Sequence, residues 1–235
     1  MSSRRTGAVA LLGAVAVLAG CGGSGSGSPG GSPSPSAPHT SSSSPSPTAP
    51  ATTYTAPPAT LPVIPVPLTT AQPPWAPPLV IATQQTADYA AAAGLPYAAE
   101  MLQVHYHAHL DINVDGSAVV VPQYLGYVAK GNSIVGLTPL HTHDNSGVIH
   151  IENSVPADFL LGQLFVEWGV KFTPTCLGPY CTGQGKELAV FVNGHRYAGD
   201  PTRLVLRKHQ EIAIEFGRTG HLPKPPASYA FPSGL

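Results

Sequence analysis

The chain has 235 residues, with 11 Lys and Arg against 12 Asp and Glu and a formal net charge of −1. Its few basic residues are scattered, so it lacks the basic footprint of a nucleic-acid binder and no nucleic-acid partner is expected. Sixteen of its 27 Pro, with abundant Ser, fall within the first 80 residues and leave the later sequence to build a core.

Residues 1–20 read as an export signal: Arg4 and Arg5 form a positive start, and Ala8 to Ala19 form an apolar run too short to span a bilayer. The segment Leu18-Ala19-Gly20-Cys21 resembles the bacterial lipobox. That resemblance implies cleavage before Cys21, a palmitate-bearing lipid on that cysteine, and anchoring to the outer face of the cytoplasmic membrane. The alternative is an ordinary N-terminal membrane anchor with a free thiol. Residues 21–80 are dominated by Ser, Gly, Pro, Thr and Ala, and no acidic residue precedes Asp88. Such sequence buries too little apolar surface to offset its ordering entropy, so it predicts a disordered tether, flexible at first and stiffer through its prolines. Trp75, Leu79, Val80 and Ile81 are where docking on a folded domain is expected to begin. That domain is placed at 81–235.

Within it, Thr83 to Ala93 is Ala-rich and predicts a short helix stopped by Gly94 and Pro96. From Val104 the period becomes two. Val104, Tyr106, Ala108, Leu110, Ile112 and Val114 share one face, and His105, His107, His109, Asp111 and Asn113 share the other. Asp115-Gly116 predicts a tight turn into a strand over Ala118 to Val121. Ile134 to His143 and Val148 to Glu152 are the next strands, separated by the turn formers Asp144-Asn145-Ser146-Gly147. A symmetric turn sets His141 opposite His150 and His143 opposite Val148. His141, His143, His150 and Glu152 then face one way, and Leu140, Ile149 and Ile151 face the core.

Asp158 to Trp168 carries apolar residues at helical spacing and predicts the one main helix, with Trp168 in the core. Once Cys21 is committed to lipid, Cys176 and Cys181 remain as an even pair. In an exported chain they predict one disulfide, closed over Leu177-Gly178-Pro179-Tyr180. Strands are expected at Glu187 to Val192, His195 to Tyr197 (after Asn193-Gly194), Leu204 to Leu206 and Glu211 to Phe216. The Pro-rich end from His221 reads as an irregular extension across the domain. The class is α+β, mainly antiparallel β, as a small sandwich or β-grasp-like sheet with one main helix after a disordered N-terminal third.

Six of the ten histidines fall between His105 and His150. Two imidazoles at i, i+2 on a strand point the same way. Directly opposed residues on neighbouring strands bring Cβ atoms to about 5 Å, where two imidazoles can reach one ion. His107, His109, His141, His143 and His150 are therefore the candidate ligands, with His105 at the edge of its strand. Asp111, Asp144 and Glu152 are candidates to orient the rings or to supply an oxygen. The alternative is a solvent-facing sheet surface with ordinary histidines. Soft ligands are nearly absent, so the metal expected is Zn or Cu(II) rather than Cu(I).

The residues His107-Ala108-His109-Leu110-Asp111, Leu140-His141-Thr142-His143-Asp144, Gly147-Val148-Ile149-His150-Ile151-Glu152 and Leu161-Gly162-Gln163-Leu164-Phe165 together resemble a recurring family of exported prokaryotic His-rich domains. The resemblance runs over roughly residues 100–217; it implies a defined exported domain and brings no activity with it. Two better-known patterns fail at a ligand. Metallo-β-lactamase-like hydrolases need a histidine where Ile112 stands, and cupins need a glutamate where Val148 stands. Three functions stay open: a tethered lipoprotein that binds, buffers or delivers a metal; a metal-dependent hydrolase or oxygenase with Glu152 or Asp144 as base; and a cell-envelope interaction domain without metal.

Overall fold

The computed structural model describes residues 66–81, 85–99 and 103–235, all within the unit Ala49–Leu235. The expected export signal, Cys21 and the expected tether up to residue 65 lie outside the described residues. The packed chain begins upstream of the expected boundary at 81. Trp75 is buried, its indole meets Trp168 edge-on at 5.7 Å, and Trp168 Nε1 donates to the Trp75 carbonyl. Thr69 exchanges backbone hydrogen bonds with Gly169 and Lys171. Two short helices follow, α1 (Pro78–Ile81) and α2 (Thr86–Ala93), the second ended by Gly94 in the left-handed region.

The strands are β1 (Val104–Val114), β2 (Ser117–Ala118), β3 (Tyr127–Lys130), β4 (Ser133–Leu137), β5 (Leu140–His141), β6 (Val148–Asn153), β7 (Cys176–Leu177), β8 (Tyr180–Cys181), β9 (Lys186–Val192), β10 (His195–Arg196) and β11 (Glu211–Arg218). The principal sheet runs β10-β9-β11-β1-β6-β5, with β2 paired to the far end of β1. Every pairing in it is antiparallel except β1 with β11, which is parallel. The fold is thus α+β, built on one principal sheet and not on a sandwich. Helix α3 (Leu161–Trp168) is shorter than the expected Asp158–Trp168. Leu160 N donates to Gln163 Oε1, which sets its first turn, while Asp158 pairs with Arg207.

Three strand expectations are corrected. Of the segment Ala118 to Val121 only Ala118 is in a strand, as the second residue of β2. Ile134 to His143 is split into β4 and β5, which belong to different sheets, because Pro139 between them has no N–H to continue a ladder. Leu204 to Leu206 is not a strand. It follows a 3-10 turn at Pro201–Arg203 capped by Asp200, and only Val205 bridges back, to Leu160. The Cys176–Cys181 disulfide is present and joins β7 to β8.

One face of the principal sheet is apolar over its centre. Ala108, Leu110 and Ile112 of β1 join Ile149 and Ile151 of β6, Ile212 and Ile214 of β11, and Leu161, Leu164, Phe165 and Trp168 of α3 in a single core. This face fixes the register of the polar one. The β5–β6 hairpin pairs Leu140 with Ile151 and His141 with His150, as the symmetric turn predicts. A one-residue slip would exchange buried Leu140, Ile149 and Ile151 for His141, His150 and Glu152, losing roughly 1.5–3 kcal/mol per aliphatic side chain. Apolar burial on one side therefore holds the histidines in place on the other.

Candidate metal centre

The polar face of β1 carries His105, His107, His109, Asp111 and Asn113, and its neighbours decide what each one meets. Beside β6, His105 lies opposite Glu152, His107 opposite His150 and His109 opposite Val148. Beside β11, His109 lies opposite Glu211, Asp111 opposite Ala213 and Asn113 opposite Glu215.

At the β6 end, imidazoles from three strands and the β5–β6 turn converge. His105 Nε2 lies 2.9 Å from His107 Nε2, and His107 Nε2 lies 3.2 Å from His150 Nδ1. Glu152 Oε1 is 3.2 Å from His105 Nε2 and 3.6 Å from both His141 Nε2 and His150 Nδ1. The His143 ring centroid is 4.4 Å from that of His150 and 4.9 Å from that of His141. Two nitrogens on one tetrahedral ion at about 2.0–2.1 Å stand roughly 3.3 Å apart, so these separations suit a shared cation.

The residues form two overlapping sets, His141-His143-His150-Glu152 and His105-His107-His150, in each of which the ligand atoms lie within 4.8 Å of one another. Both sets can hold a metal ion, and His150 belongs to both. Their floor is dry. His107, His141 and Glu152 are no more than 3% exposed, whereas His105 and His143 open to solvent. The polar face is thus substantially covered and is not the solvent-facing surface of the alternative reading.

The rings are aimed by groups behind them. A carbonyl only accepts, so the 3.0 Å contact of His141 Nδ1 with the Thr138 carbonyl puts the proton on Nδ1 and turns the Nε2 lone pair inward. That Nε2 is buried and makes no hydrogen bond among the described residues. His143 Nδ1 meets the Tyr127 hydroxyl at 2.8 Å. Tyr127 reaches this place because Gly126, at φ 73°, runs against β5, where a Cβ would stand 2.1 Å from the Leu140 carbonyl and 2.9 Å from His141 Cβ. Desolvation, reinforced by neighbouring imidazoles, lowers His107 and His141 to about 4 and His150 to about 3. These three rings are therefore neutral at pH 7, with lone pairs available to a cation.

His109 does not join this cluster. Its Nδ1 meets Glu211 Oε2 and its Nε2 meets the Ser146 carbonyl, both at 2.8 Å. With Asp111 and Glu211 it forms a third group of ligand atoms within 4.8 Å. Asp144 is not in a cluster either. It is exposed, and its Oδ1 accepts from Ser146 N at 2.8 Å within the turn. His143 is not paired with Val148, because β5 ends at His141 and the turn takes over. His209 stacks on Phe231 at 4.7 Å, outside the cluster, and His195 lies at the far edge in β10.

Sequence reasoning passes over Tyr127, Thr138, Glu211 and Glu215. Glu211 and Glu215 carried a signal, since they alternate with Ile212, Ile214 and Phe216 as polar residues on the second face of a strand. Tyr127 and Thr138 carried none, because their part depends on loop geometry. Compared with known proteins, the chain matches no family model, no curated protein and no solved structure.

Proposed function

We propose that this chain is an exported lipoprotein, held by a lipid on Cys21 at the outer face of the cytoplasmic membrane, whose domain binds Zn(II) or Cu(II) as cargo and passes it on. The observation that carries the reading is the pair of ligand sets sharing His150. Five imidazoles and one carboxylate exceed what a four-coordinate ion takes, so a bound ion has alternative ligands beside it. Such a surplus suits exchange better than permanent structural binding. The exposed rings of His105 and His143 give the ion a way in and out, and the buried rings supply the retention. Imidazole and carboxylate donors without sulfur favour Zn(II) and Cu(II) over Cu(I).

A hydrolytic reading needs a carboxylate available to take a proton from water. Glu152 is instead set among three imidazoles, and Asp144 belongs to the turn, which favours binding over catalysis.

The test is metal analysis of the chain purified without a histidine tag, followed by thermal melting with added Zn(II) or Cu(II). Retained metal and a raised melting temperature are expected. A metal-free protein whose melting ignores both ions would sink the binding reading. Membrane fractionation of a Cys21→Ser variant tests the anchor separately, with release into the soluble fraction expected.

A further inference from the structure

The other end of the polar face is chemically different. Here β11 supplies Glu211 and Glu215 to the face on which β1 carries His109, Asp111 and Asn113. Both glutamates are 1% exposed, and among the described residues Glu211 Oε1 and Glu215 Oε2 are buried without a hydrogen-bond partner. Asn113 Nδ2 satisfies only the other Glu215 oxygen, at 3.0 Å. Asp111 stands beside Glu211 and faces the small Ala213 across the parallel pair. Acidic groups taken out of water in this way are retained where a cation or a proton compensates them.

We infer that His109, Asp111 and Glu211, with Glu215 beside them, form a second cation site, separate from the imidazole cluster and suited to a divalent ion of the Mn(II) kind. Three features support it. Ligand atoms from His109, Asp111 and Glu211 already lie within 4.8 Å of one another. His109 is posed as a metal-binding imidazole is posed: its Nε2–H donates to the Ser146 carbonyl, which leaves Nδ1 facing the carboxylates. The turn can supply that carbonyl because Gly147, at φ 86°, passes so close that a Cβ there would stand 3.0 Å from His109 Nε2 and 2.5 Å from the Leu110 carbonyl. Finally, the ring of Tyr229 lies flat on His109, with centroids 3.7 Å apart and planes 8° apart, so the C-terminal segment roofs the site.

Carboxylate-dominated donors with one imidazole distinguish this site from the five-imidazole cluster, and predict a preference for a harder ion. Loading the ion displaces the proton shared between His109 Nδ1 and Glu211 Oε2 to solvent. Mn(II) affinity is accordingly expected to fall as the pH falls.

The experiment is Mn(II) titration of the full chain followed by electron paramagnetic resonance, with pulsed detection of coupled imidazole nitrogen. Wild type is expected to bind one ion with a nitrogen signal. Asp111→Asn and Glu211→Gln should each weaken binding by about tenfold or more, while a His141→Ala/His150→Ala double variant should keep it. Asp111 is only half-buried and its replacement is isosteric, so that variant carries the test if Glu211→Gln fails to fold. Absence of bound Mn(II) in wild type at millimolar concentration would overturn the inference. So would binding without a nitrogen signal, binding undiminished in folded Asp111→Asn, or binding lost in the His141→Ala/His150→Ala protein. Because the double variant removes ligands of the imidazole cluster alone, failure of the Zn and Cu reading and failure of this one give different results.

Discussion

One strand carries two chemistries on one face. His107 and His109 are two residues apart on β1, both 3% exposed, and both point away from the apolar core. His107 enters an imidazole cluster because antiparallel β6 sets His150 beside it, and His109 enters a carboxylate cluster because parallel β11 sets Glu211 beside it. A ligand's identity thus says less than its cross-strand neighbour. The two ends also differ in their cover: two rings of the imidazole end reach solvent, whereas the carboxylate end lies under Tyr229.

The sharpest way to break the comparison is His150→Ala, which removes the ring common to both imidazole sets. Loss of an orienting partner alone costs a metal site about 10–100-fold, so loss of this ligand should exceed that. Zn(II) and Cu(II) binding should collapse in calorimetric titration, with the His109 end intact. Retention of wild-type affinity would show that the two sets are independent of their shared member.

Acid and base should separate the ends next. His107, His141 and His150 sit below the ordinary imidazole value because burial disfavours their charged form. The unfolded chain takes up protons near pH 6.5 that these rings refuse, so their contribution is present above that pH. It is lost as the pH falls toward about 4 for His107 and His141 and about 3 for His150. Burial raises Glu211 and Glu215 instead. The folded state then holds protons that the unfolded chain releases above about pH 4.5, and stability from these groups declines as the pH rises. Melting curves of the metal-free protein should show both limbs. His150→Ala should flatten the acid limb and Glu215→Gln the alkaline one, and the reverse assignment would count against the division.

A smaller effect is expected from Tyr127→Phe, which removes the hydroxyl at His143 Nδ1. Metal affinity at the imidazole end should drop by about tenfold with the melting temperature little changed; an unaltered affinity would mean that His143 is oriented by its other contacts. The smallest effect on either end should come from opening the disulfide with Cys176→Ser. Its partner is five positions away, so the closed loop is short, and chain entropy predicts a stability loss of about 2 kcal/mol. A change in metal stoichiometry there would show coupling between the disulfide-linked β7–β8 segment and the sheet face.

Local pattern made much of this legible in the sequence. Period two across Val104 to Val114 gave β1 with its two faces, and the four-residue turn gave the pairing of His141 with His150. What local pattern does not carry is which distant strand lies on the other side. The parallel pairing of β1 with β11 joins residues about a hundred positions apart, and it is this pairing that takes His109 out of the cluster and brings Glu211 in. The break at Pro139 shows the same limit. Ile134 to His143 has the apolar content of one strand, yet a single missing N–H lets its halves serve different sheets.

The chain's only two tryptophans, Trp75 and Trp168, are the pair that joins the upstream segment to α3. Intrinsic indole emission therefore reports on a single contact, the place where the segment around Trp75 packs against α3. Detachment of the upstream segment should appear as a red shift before any loss of sheet circular dichroism. The protein so carries a built-in optical gauge for the docking of that segment, usable without a dye or a label.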